Sequence, residues 1–328
     1  DDAVEAVRSA KVHGYQNMDA IKDDLGEYAH DPRFLKALDA STEEGLDGIR
    51  IERGYKRGSL CLVKAGVGMH FLLEAQSAPH VAQLLEFLRE HYPEMFGYYR
   101  PSGQLVMVPT KKGKVSRDIS ALRKNNSKYG FDIQYDDSEG QAPDHRFVFD
   151  DMNEKGELSV YLPLSTADDH DQLFECSIQI AQMLPFRSGC VGYTLAPFHE
   201  GNAAGPGSDA RRELARLAPE LLGLGLQSSK GGKIAAGIMG PSWVTLVGPA
   251  LLEALPSDFR TSLEDASIHD LERGGVAIRA SNAPMVGRGQ NPTDLAALPQ
   301  VVQALAPLWA ELKLAEVQAA RLQGIAEA

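Results

Sequence analysis

Apolar residues recur along this chain at two spacings, and the change from one to the other marks its elements. In "APHVAQLLEFLREHYP", Val81, Leu84, Leu85 and Leu88 fall at i, i+3, i+4 and i+7. They line one face of a helix that Ser77 caps and that stops before Pro93. Upstream, "SLCLVKA" (59–65) and "GMHFLLEA" (68–75) predict two strands joined through Gly66 as a hairpin. Downstream, "QLVMVP" (104–109) predicts a strand, a basic polar segment follows, and "FDIQY", "HRFVF" and "ELSVYLPL" predict three strands separated by polar turns.

The second half alternates in the same way. Ser165 and Thr166 are placed to cap a helix running to Met183, and "CVGYTLA" (190–196) predicts a strand. "EGNAAGPGSD" predicts a loop whose Asp209 caps "ARRELARLAPELLGL". "SWVTLVG" and "GGVAIRAS" predict strands, and Leu298 to Leu322 carries a long helical pattern bent at Pro307. At the start, Asn17 precedes "MDAIKDDLGEYA", and Asp31 before Pro32 opens "DPRFLKALDA" as cap and first-turn proline. The pattern predicts an α+β chain with an N-terminal helical segment (1–45), a first α/β subdomain (46–155) and a second (156–328). Each subdomain is expected to hold helices against a mixed or antiparallel sheet.

Composition narrows the function. The 328 residues are 43% hydrophobic and 24% charged, and no apolar run reaches the roughly 18 residues that a membrane span needs. No membrane association is expected. Cys61, Cys176 and Cys190 include no C-x-x-C pair, which predicts buried structural thiols in a reducing, cytoplasmic setting. The formal net charge of −12 argues against direct nucleic-acid binding, which draws its affinity from Lys and Arg, and favours a basic partner.

Motifs of catalysis fail on spacing. In "GLGLQSSKGGKI" (223–234), Ile234 follows Lys233 where a P-loop has Ser or Thr, and Gln227 stands where its first Gly belongs. The nine histidines form no H-x-H, H-x-x-x-H or H-E-x-x-H pattern, so neither a metal nor another cofactor is expected. Asp168 and Asp169 in "ADDHDQ" read as acids of a first helical turn, where the dipole favours them. No G-x-S-x-G elbow is present. "PDHRFVFDDMNEK" approaches the PD-(D/E)xK arrangement of metal-dependent nucleases through Pro143, Asp144 and Lys155, but Asn153 replaces the second anionic ligand. A nuclease of that type, or a degenerate remnant of one, is the alternative reading; the main expectation is a protein that is not an enzyme.

Charge is unevenly spread. Residues 131–171 hold twelve acids against Arg146 and Lys155, a net of −10, while residues 110–130 hold seven bases against Asp118, a net of +6. Any single carboxylate here reads most simply as a solvated turn residue. As a group, such acids can steer a basic partner.

"GELSVYLPLST", "LPFRSGCVGYTLAP", "PSWVTLVGPALLEAL" and "ERGGVAIRASNAPMVGRGQNPTDLAALPQVVQALAPL" carry a resemblance. In their order and spacing the chain resembles the bacterial type VI secretion immunity family (TsiV-like), which includes inhibitors of nuclease effectors, from about Gly58 to Leu308. The resemblance implies an immunity protein that binds a cognate type VI effector toxin, a nuclease, and blocks its active groove or its assembly. It brings no catalytic or toxin-contacting motif. The expected contact surface therefore rests on charge: Asp136, Asp137, Glu139, Asp144, Asp150 and Asp151, set against the basic groove that a DNA-cleaving toxin must present to phosphate.

Overall fold

The computed structural model describes residues 50–55, 58–102, 104, 106–125, 130–139, 141–151, 156–197, 242–284 and 297–309. Within them one antiparallel sheet organises everything else. Its strands are β1 (Arg50–Tyr55), β2 (Gly58–Leu73), β3 (Tyr98–Tyr99), β4 (Val108–Pro109), β5 (Asp132–Asp136), β6 (Arg146–Asp150), β7 (Glu157–Pro163), β8 (Phe186–Pro197), β9 (Val244–Val247), β10 (Ser267–Asp270) and β11 (Val276–Arg279). Their order is β10-β11-β9-β8-β2-β7-β6-β5-β3-β4, with β1 paired to β2 beside this path.

Gly66 does not turn the chain. Residues 58–73 form one long strand, with β7 on one side and β8 on the other. A Cβ at Gly66 would lie 2.7 Å from the backbone oxygen of Leu162 in β7, so glycine is required there for close approach rather than for a hairpin. The division expected at residue 155 falls between β6 and β7, which are neighbours in this sheet.

Alternation along the strands separates two faces. Val67, Met69 and Phe71 of β2, Leu158, Val160 and Leu162 of β7, Phe147 and Phe149 of β6, and Ile133 and Tyr135 of β5 share one core. Three helices supply its other half: α1 (Ala78–His91), α2 (Lys114–Arg123) and α3 (His170–Met183). The i, i+3, i+4, i+7 residues of α1 are all fully buried, each worth about 1.5–3 kcal/mol of transfer free energy. The basic polar segment after β4 proves to be α2, which buries Val115, Ile119 and Leu122. The helix expected from Ser165 starts later: residues 164–168 form a 3-10 turn, and Asp169 caps α3 by accepting from the Gln172 amide at 2.9 Å.

On the opposite face a second core lies at one end of the sheet. Val247 of β9 with Val276 and Ile278 of β11 pack against Leu251 of α4 (Pro249–Leu252) and against Val301, Val302 and Leu305 of α5 (Ala297–Trp309). Pro249 opens α4, and Pro307 lies inside α5. The helical patterns expected in 1–45, from Asp209 and beyond 309, and the glycine-rich stretch 223–234, lie outside the described residues.

Candidate functional site

The carboxylates expected to act together belong to the β5–β6 hairpin and its flanks, and the hairpin register divides them. Asp136 pairs with Arg146 at one end and Asp132 with Asp150 at the other. Four residue steps at ~3.4 Å put the two ends about 14 Å apart.

At the turn end, Asp137 closes the connection. Its carboxylate accepts from the backbone N–H of Asp144 at 3.2 Å and of His145 at 2.8 Å, while the Asp137 amide donates to the His145 carbonyl at 3.1 Å. His145 links this turn to the 3-10 turn Pro93–Phe96: Nδ1 lies 3.0 Å from Asp137 and Nε2 lies 3.1 Å from Glu94. Asp144 is 52% exposed and pairs with Lys64 of β2. Glu139 is exposed, and Glu94 is 49% exposed. The turn thus presents Glu94, Glu139 and Asp144 to solvent around a half-buried Asp137.

Asp136 stands apart from this rim. Expected at the surface, it is instead 2% exposed, because it shares a face of the sheet with Arg146 and takes that guanidinium in two parallel bonds of 2.9 and 2.8 Å. Gln134 Nε2 donates to the same carboxylate at 3.3 Å, and the Arg146 guanidinium lies 6.0 Å over the Tyr161 ring. Such bidentate pairs are strong and geometrically exacting. The charge of Asp136 is used inside the protein.

At the open end, directly opposed residues set Asp132, Asp150 and Glu157 in a row across β5, β6 and β7. Arg100 pairs with Asp132. Burial, and then the Asp150 charge, push the Glu157 carboxyl up to about 7. Asp151 is half-buried and accepts from the backbone N–H of Phe131, so it ties down the start of β5.

The same polar face continues into the middle of the sheet. His70 of β2 stands opposite Ser159 of β7, with Nδ1 2.9 Å from the serine hydroxyl, and its ring meets Tyr161 edge-on at 5.3 Å. Burial lowers the His70 pKa from 6.5 to about 4, so the imidazole is neutral at physiological pH. Cys190, its partner on β8, is buried and its thiol is pushed up to about 12. The thiol of Cys176 is half-buried, 3.5 Å from the Tyr92 hydroxyl, and burial raises its pKa too. Thiolate chemistry is suppressed at both positions.

Lys155 and Asn153, which would complete the nuclease motif, lie outside the described residues, and Asp144 sits at a turn engaged with Lys64. Among the described residues no group of three or more His, Cys, Asp or Glu is placed to hold a metal ion. Also among them, no helix is long and apolar enough to cross a membrane.

Comparison with known proteins supplies the identity of the fold. A search of curated proteins gave no match. Among solved structures the chain is similar to one described as "Pseudomonas aeruginosa T6SS protein PA0821", with a TM-score of 0.60 and 15% identity over 84% of this chain and 82% of that one. At that identity the likeness is one of fold. The family model described as "TsiV: Type VI immunity for VRR-NUC" matches residues 72–321, which takes in the sheet from the end of β2 onward and all five helices. The chain belongs to this family of type VI immunity proteins.

Proposed function

We propose that this chain neutralises a nuclease effector of the VRR-NUC class by binding it in the cytoplasm, and that it does so without catalysis, metal or cofactor. The observation that carries this reading is the family match across most of the chain, whose description names VRR-NUC as the target of the immunity. A DNA-cleaving enzyme must present cationic side chains to phosphate. An opposing surface of carboxylates can approach that groove with favourable electrostatics and raise the association rate.

Of the six carboxylates that the charge pattern singles out, Asp137, Glu139 and Asp144 share the β5–β6 turn, and Glu94 joins them through His145. This rim is the proposed contact. Asp150 and Asp151 sit at the other end of the hairpin, and Asp136 is held by Arg146.

Co-expression with its cognate VRR-NUC effector, scored by survival and then by co-elution on a sizing column, tests the immunity reading. Rescue with a stable complex is expected. Failure of both, with an active toxin and a folded chain, rejects it. The rim is tested separately by Glu139→Lys with Asp144→Lys, which should weaken toxin affinity and flatten its dependence on salt. An unchanged affinity and salt slope would remove the rim from the interface.

A further inference from the structure

The sheet ends differently on its two sides. At one edge β4 is two residues long and finishes in Pro109, which has no N–H to offer. At the other, β10 pairs with β11 alone among the described strands.

The register decides which of its backbone groups face outward. Leu271 N–H donates to Gly275 O at 2.8 Å, which makes Leu271 and Gly275 a hydrogen-bonded pair just beyond Asp270↔Val276. In an antiparallel ladder such pairs alternate, so Ser267 and His269 also turn their N–H and C=O toward β11. Ile268 and Asp270 turn theirs away from the sheet. Ser267, His269 and Asp270 are exposed and Ile268 is partly buried, and among the described residues no strand pairs with this edge.

Charge selects the partner. Residues 253–273 carry six carboxylates against Arg260 and Arg273. Arg260 is engaged by Asp270 at 2.5 Å, and Arg273 lies 3.3 Å from His80 Nδ1. Glu264 and Asp265 precede the strand and Glu272 follows it, all exposed.

We propose that the outer edge of β10 accepts an extended, Lys- or Arg-bearing segment of the toxin as an added strand, its backbone bonded to Ile268 and Asp270 and its cations beside Glu264, Asp265 and Glu272. The mode is β-strand addition, in which main-chain bonds supply affinity and flanking side chains supply selectivity. It rests on the reading of this chain as a toxin-binding immunity protein. It adds a second contact, on a strand distant in sheet order from the β5–β6 turn.

The test is backbone hydrogen exchange on the full chain, free and with its cognate VRR-NUC effector, resolved at Ile268 and Asp270. Both amides should exchange fast in the free protein and slow at least ~tenfold in the complex, as formation of an added ladder requires. Asp270→Pro removes an outward N–H while leaving the inner ladder intact, and should weaken binding about tenfold. Asp270→Asn keeps that N–H, and its effect should stay within about threefold, the scale of an exposed charge. If a complex forms and both amides exchange as in the free chain, the edge proposal falls while the immunity reading stands. If no complex forms with an active toxin, both fall. The exchange measurement decides even if Asp270→Pro proves poorly folded.

Discussion

Replacing Asp136 with Asn is expected to destabilise the whole fold rather than to weaken a surface contact. The substitution leaves the Arg146 guanidinium in a site where its side chain is 2% exposed, without the carboxylate that meets it at 2.9 and 2.8 Å. Breaking one side of a buried ion pair costs about 3–5 kcal/mol, because a charge remains in a poorly solvating environment. Total stabilities of about 5–15 kcal/mol make that a large fraction. Arg146→Met should cost a similar amount by stranding Asp136. The double variant Asp136→Leu with Arg146→Met removes both charges, and its remaining cost is the unpaired Gln134 amide, about 1–3 kcal/mol, with some loss of packing on Tyr161. It should therefore lie several kcal/mol below the sum of the single losses. Urea unfolding followed by tryptophan fluorescence, in a double-mutant cycle, measures this coupling. Additive losses, or a single loss under about 1 kcal/mol, would refute the claim that these charges are buried and mutually dependent. A well-folded Asp136→Asn protein with reduced toxin affinity would return Asp136 to the surface.

Other expectations follow from the same face of the sheet. His70 has its pKa lowered from 6.5 to about 4, so the native state resists a proton that the unfolded chain accepts. Stability should be unaffected above pH 6.5 and fall progressively toward pH 4, by about 3 kcal/mol at 1.36 kcal/mol per pH unit; His70→Gln should lack that segment of the acid slope in a pH series of urea midpoints. Glu157 behaves oppositely, since its pKa is raised to about 7: its contribution is full below about pH 4.5 and lost as pH rises through 7. Glu157→Gln should raise the melting temperature at pH 8 and change it little at pH 4.5; equal shifts at both would show that the ionisation of Glu157, opposed by burial and then by the Asp150 charge, is not the cause. Gly66→Ala places a methyl 2.7 Å from the Leu162 backbone oxygen and should cost about 1–3 kcal/mol. A neutral result in thermal unfolding would show that β2 and β7 can separate without penalty.

The sequence exposes local periodicity well and long-range pairing poorly. Helix α1 is readable because four apolar residues fill one face, and β5, β6 and β7 because apolar and polar positions alternate. Gly66 misleads because glycine serves both turns and close strand contacts, and only the partner strand, about a hundred residues away, distinguishes them. α2 carries a short signal masked by its charge: Val115, Ile119 and Leu122 fall at i, i+4 and i+7 within a run of lysines and arginines. β10 had almost none, since "SIHD" contains a single apolar residue. The site suffers from the same limit. Carboxylates adjacent in sequence are assigned by a hairpin to two ends and two faces, and the pairing of Asp136 with Arg146 becomes visible only once the register is known.

Local neutralisation also decides what the acidic interval can do. Asp136 is met by Arg146 within the interval, and Arg100, Lys64 and Arg279 from outside it meet Asp132, Asp144 and Asp171, so three charges of the net −10 are screened within a few ångströms. What survives at distance is the overall −12, expressed through exposed groups such as Glu139 and Glu94 at the turn and Glu264, Asp265 and Glu272 beside β10. A diffuse field of this kind acts chiefly on the association rate, and its action fades over a Debye length of about 8 Å at physiological salt. Backbone pairing along an edge strand acts instead on how long the complex lasts. The two contacts should therefore separate kinetically. Reversing Glu139 and Asp144 should slow association and flatten its salt dependence, with dissociation nearly unchanged, whereas Asp270→Pro should speed dissociation and leave association nearly as it was. Surface-plasmon measurements across a salt series distinguish these outcomes. If both sets of variants altered only the association rate, the β10 edge would be part of the field and not a strand-pairing site.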